Sequence, residues 1–176
     1  MNHKKAIIFL AVVWIAIIGG FVAMKEYTIQ TGEEVLLKTI PVDPRDLFRG
    51  DYVILSYEIS RFESDILLDF EPGDKVYVKL DTSGYYAQIA SIHSEPPEGL
   101  YIAGTLKHAF GDNAMGVEYG IESYFIPENK GYIIERAQRN SENDVAVTVA
   151  VGNSGKSVIK ELLINGEEVS FDEPEK

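Results

Sequence analysis

Four glutamates stand close together in "VEYGIESYFIPENKGYIIE": Glu118, Glu122, Glu128 and Glu135. Read as a strand over residues 116–126 followed by a turn and a helix, the stretch puts Glu118 and Glu122 on one face with Tyr124. Converging carboxylates of this kind hold a hard cation or supply an acid and a base. The spacing is not that of a calcium loop, and such residues more often form a solvated face with helix-capping acids. A carboxylate-based cation-binding domain is one alternative reading of function.

A second group lies in "FRGDYVILSYEI", residues 48–59. Arg49, Tyr52 and Tyr57 are of the residue types that recognition surfaces favour, and Asp51, Glu122, Glu128 and Glu135 are candidate binding residues as their acidic company. Strand geometry turns Val53, Leu55, Tyr57 and Ile59 to one face and Tyr52, Ile54, Ser56 and Glu58 to the other. The first set reads as core. Gly50 suits a turn or bulge at the strand's entry, Asp51 can accept backbone N–H bonds there, and Leu55 is a structural member.

Nucleophilic catalysis is the other alternative, as a membrane-tethered serine peptidase. "DPRDLFRGDYVIL" and "PGDKV" faintly resemble strand-entry signatures of type I signal peptidases. Such an enzyme needs a serine and a lysine whose pKa is lowered by burial. Residues 40–43 read Ile-Pro-Val-Asp, and the nearest hydroxyl is Thr39. Lys79 alternates with Val78 and Leu80, so it is expected to face solvent and keep its proton. No catalytic residue is assigned. His93 and His108 fall in separate strands without an HExxH pattern, and no cysteine exists. These histidines alone do not make a zinc site, Gly-rich phosphate loops are missing, and no cofactor is implied.

The elements that must position these groups read as brief alternating runs at 35–40, 52–59, 75–80, 85–92, 100–107, 116–125, 145–151 and 157–164. Turn clusters separate them. Asn165 and Gly166 form the sharpest hairpin signal, since both accept the positive φ of a type I′ turn. "PENKGYIIERAQR" reads as a short helix with Pro127 in its first turn and Ile133, Ile134 and Ala137 on one side. The expected fold is mainly β, an antiparallel sandwich or barrel-like domain with one short helix.

Ahead of it, the chain carries no charge from Ala6 to Met24. A helix of that length reaches about 28 Å, close to the hydrocarbon thickness of a bilayer. A cleaved secretory signal is the rival reading. The apolar run is longer than the usual h-region, and cleavage after Ala23 would put bulky Phe21 at a small-residue position. The organisation expected is a cytoplasmic tail at 1–5, a transmembrane anchor at 6–24, a linker at 25–33, an extracytoplasmic body at 34–171 and an acidic tail at 172–176. Lys4 and Lys5 on one side, against acids after Lys25 on the other, place the N-terminus in the cytoplasm. With 28 acids against 16 bases and a net charge of −12, the chain repels phosphate backbones, which argues against nucleic acid as a partner. By the same charge, its lipid-facing surface is expected to avoid adhering to anionic headgroups.

"GDYVILSY", residues 50–57, resembles the defining motif of the GDYXXLXY family of bacterial membrane-anchored proteins, matching at Gly50, Asp51, Tyr52, Leu55 and Tyr57. The likeness extends through "PVDPRDLFR", "YGIESYFIPENKGYIIERA" and "GKSVIKELLINGE". It implies an N-terminal anchor followed by an extracytoplasmic domain, and a polytopic membrane protein as partner. Together these readings lead to the expectation of a non-catalytic accessory or interaction subunit.

Overall fold

A computed structural model describes residues 3–41, 52–63, 70–108, 114–128, 130–140 and 142–171. Its first element is α1, His3–Thr31. None of α1's residues is buried, and apolar side chains cover all its sides from Ala6 to Met24. A helix apolar all round needs an apolar surrounding. Among the described residues α1 is the helix long and apolar enough to cross a membrane, which is compatible with a single-pass anchor. The stretch expected as a spacer is instead the end of this helix. The Thr28 and Thr31 hydroxyls donate to the carbonyls of Met24 and Tyr27, and Gly32 N–H donates to Thr28 O at 2.8 Å. β1, Glu33–Ile40, follows at once.

Eleven further strands follow among the described residues: β2 (Tyr52–Ile54), β3 (Ser56–Tyr57), β4 (Arg61–Glu63), β5 (Lys75–Asp81), β6 (Gln88–His93), β7 (Tyr101–His108), β8 (Ala114–Glu118), β9 (Ser123–Phe125), β10 (Val145–Val151), β11 (Ser157–Ile164) and β12 (Glu167–Glu168). One five-stranded sheet has the order β12-β11-β10-β1-β3, another β4-β8-β7-β5-β6, and β2 pairs with β9 in a ribbon. All pairings are antiparallel. Val35 and Leu37 of the first sheet share one buried cluster with Val76, Val78, Ile102 and Leu106 of the second. The sheets thus face each other across a common interior, as expected for a sandwich.

The central strand of the first sheet, β10, reads VAVTVAV and is buried at every position except Thr148. Such a run suits a strand covered on both faces better than one that alternates. The β11–β12 turn carries Asn165 at φ 55° and Gly166 at φ 82°, the left-handed pair expected there. α2, Gly131–Arg139, buries Ile134 and Ala137 as expected. It starts later than the sequence pattern indicates. Pro127 lies outside it, where its carbonyl accepts Lys130 N–H at 3.1 Å, and no acid occupies the first helical turn.

Two expected strands are divided. Residues 52–59 form β2 and β3 and then a 3₁₀ turn at Glu58–Ser60. The run expected over 116–125 is β8 and β9, separated by a turn in which Gly120 has φ 80°. Burial still alternates across that break, with Val117, Tyr119 and Ile121 all inside.

Candidate functional site

The motif strand changes partners as it runs. β2 pairs with β9, β3 pairs with β1, and after the 3₁₀ turn β4 pairs with β8. A single segment therefore joins the ribbon to both sheets. Leu55 stands at the first change of partner, its side chain buried and its N–H donating to Glu122 O at 2.7 Å.

Tyr57 and Tyr119 secure this crossing in reciprocal fashion. The Tyr57 hydroxyl donates to Ile121 O, and the Tyr119 hydroxyl donates to Ile59 O. Each ring is buried in the segment that supplies the other's acceptor. Burial, reinforced by the Glu122 charge, pushes both phenols far above their ordinary range, so both remain donors. Tyr57 is thus an internal tie and does not line a recognition surface.

Glu122 folds back over its own turn, where its carboxylate accepts the N–H groups of Tyr119 and of Gly120, the latter at 2.8 Å. Burial raises its pKa, opposed by these backbone bonds and aided by the nearby Glu118 charge. Glu118 itself pairs with Lys107 at 3.3 Å. The two acids that the strand reading puts on one face therefore have separate local partners. Glu128 is exposed in the turn before α2, and the side chain of Glu135 lies outside the described residues. Among the described residues no three His, Asp or Glu side chains are grouped to hold a metal ion.

Glu122→Ala is expected to lower stability by about 1–3 kcal/mol, because the two N–H groups lose their acceptor. The pH dependence has a definite sign. A carboxyl whose pKa is higher folded than unfolded binds its proton more tightly in the native state, so its contribution improves as pH falls through the folded value. The melting temperature of the native protein should therefore rise relative to that of Glu122→Gln as pH falls from neutrality into the ordinary carboxylate range. Parallel melting curves across that range would contradict this.

Of the other candidates, Arg49, Gly50 and Asp51 lie outside the described residues. Tyr52 is half-buried and sits directly opposite Phe125, their rings 6.1 Å apart. Phe125 is 78% exposed. Among the described motif residues Tyr52 reaches the surface through this cross-strand aromatic pair. The alternation read over 116–126 puts Phe125 on the face opposite Glu118, Glu122 and Tyr124, so it gives no sign of that exposure. The peptidase groups are not assembled as a dyad. Thr39 is buried with its hydroxyl donating to Val145 O at 2.7 Å, while Lys79 belongs to β5 of the other sheet. His93 is within 2.8 Å of Ser91 Oγ, and the side chain of His108 is outside the described residues.

Residues 14–162 match the family described as GDYXXLXY protein. The chain belongs to the GDYXXLXY family. The family match covers α1 from Trp14 onward, the motif strand, the Glu122 turn and most of β11. No curated protein and no solved structure matches the chain. In this family member, Leu55 and Tyr57 of the name-giving motif are interior residues, and Tyr52 reaches the surface.

Proposed function

We propose that this GDYXXLXY protein is a single-pass membrane subunit whose β-domain sits on the extracytoplasmic face and serves a non-catalytic accessory role beside a polytopic membrane protein. The observation that carries this reading is α1: a long apolar helix with no buried residue, running without a spacer into β1. A domain joined so closely stays at the bilayer surface, where a membrane partner is within reach. The charge difference between Lys4 and Lys5 and the acids after Lys25 supports the orientation. Tyr52 and Phe125 supply an exposed aromatic contact of the kind that anchors interfaces.

A photo-crosslinking residue placed at Phe125 in native membranes is expected to capture one reproducible integral membrane protein. Tyr52→Ala should leave the melting temperature within a few degrees of the parent while weakening that capture by about 30-fold, the effect of an aromatic anchor worth about 2 kcal/mol. Capture unaltered by Tyr52→Ala would refute the contact. A carboxyl-terminal reporter active only in the cytoplasm would refute the orientation.

A further inference from the structure

The apolar run of α1 ends at Met24, and Lys25 begins two further turns that meet the tip of the β10–β11 hairpin. This tip is held from behind by the second sheet. Ala103 N–H donates to Gly155 O at 2.8 Å, and the Tyr101 hydroxyl donates to Asn153 O at 3.0 Å. Between helix and hairpin opens a cleft of about 660 Å³. Phe21 and Met24 form part of its wall within the apolar run, and Lys25, Asn153, Lys156 and Ser157 form part of the wall beyond it.

The charge of the polar wall points to an anion. Lys25 and Lys156 are exposed, and neither has an ion pair among the described residues, although acids far outnumber bases in the chain. An apolar wall continuous with a cationic one, meeting where a transmembrane span would leave hydrocarbon, matches one amphipathic molecule.

We infer that this cleft seats an acidic phospholipid, its phosphate met by Lys25 and Lys156 and its acyl chain lying beside Phe21 and Met24. The inference rests on the membrane-spanning reading of α1. It confines lipid recognition to one place on a body whose net charge otherwise disfavours anionic headgroups. A bound lipid would brace the β-domain against its own anchor.

The test uses the full chain in phosphatidylcholine nanodiscs containing a small fraction of phosphatidylglycerol with a photoreactive headgroup. Adducts are expected on the hairpin peptide spanning 152–158, outside the hydrocarbon, and the yield should fall about 25-fold in Lys25→Ala/Lys156→Ala, about fivefold for each lysine. Lys4→Ala/Lys5→Ala, which removes equal charge from the opposite end of α1, should leave that yield unchanged. Equal labelling by a photoreactive phosphatidylcholine, adducts confined to α1, or a yield indifferent to the cleft lysines would overturn the inference. Loss of labelling on adding soluble glycerol phosphate would also overturn it, by reassigning the cleft to a free phosphate compound. Failure of the chain to enter the discs would overturn the anchor and the lipid site together, whereas entry without hairpin adducts overturns the lipid site alone.

Discussion

Tyr57→Ala is expected to lower the unfolding free energy by about 3–5 kcal/mol, and Tyr57→Phe by about 1–3 kcal/mol. The ring is fully buried where the motif strand passes from the ribbon to the first sheet, so its removal leaves a cavity at the junction of three pairings. The smaller substitution keeps the packing and removes only the donor to Ile121 O, leaving that carbonyl without its bond. For a chain of this length the loss of each kcal/mol lowers the melting temperature by about 2–4 °C, so the alanine variant should melt about 6–20 °C below the parent. Thermal melts of the detergent-solubilised full chain, followed by circular dichroism, measure both. Tyr119→Phe should resemble Tyr57→Phe, because it removes the reciprocal bond to Ile59 O. The double variant should cost less than the two singles combined, since both hydroxyls tie the same pair of segments and the first loss loosens the second. A Tyr57→Ala protein that melts with the parent would mean that this strand does not hold the sheets together.

The depth of the motif strand was legible in its alternation, and its route was not. Val53, Leu55, Tyr57 and Ile59 are all buried, as their period of two requires. That period states which face is covered without naming the neighbour, so nothing local announces that β2, β3 and β4 pair with three different strands. The acidic stretch misled for a related reason. Val117, Tyr119 and Ile121 keep the burial rhythm of one continuous strand while the backbone turns at Gly120, and the turn brings Glu122 back onto its own N–H groups. The late start of α2 has a local cause as well: Lys130 N–H and Ile133 N–H bond to Pro127 O and Lys130 O, a succession of tight turns before the helical ladder begins. The cleft beside α1 was illegible because Lys25 and Lys156 meet only through tertiary packing, and the polar residues before β1 resemble a tether as much as a helix end. The Asn165-Gly166 turn was legible because its chemistry is contained in two adjacent residues.

Gly155→Ala should cost about 2–5 kcal/mol, for two separable reasons. At φ 73° the residue occupies the left-handed region, which a side chain disfavours by about 1–2 kcal/mol. An added Cβ would also fall 2.6 Å from Tyr101 Cε2 and 3.0 Å from Ala103 N, so it meets a ring on one side and backbone on the other. Overpacking of that kind typically adds about 1–3 kcal/mol. Comparing the variant in parent and Tyr101→Ala backgrounds separates the terms: the ring clash disappears with Tyr101, while the φ cost persists in both. Equal costs in the two backgrounds would show that the hairpin tip does not lie against β7. The consequence extends to the bilayer, because Gly155 O is the acceptor that ties this tip to Ala103 and Lys156 is the next residue along. Relief of the clash requires the tip to move away from β7, which shifts Lys156 relative to Lys25. Gly155→Ala should therefore reduce phosphatidylglycerol adducts on the hairpin severalfold although both lysines remain. Undiminished adducts in a measurably destabilised variant would show that the position of the tip does not govern the cleft.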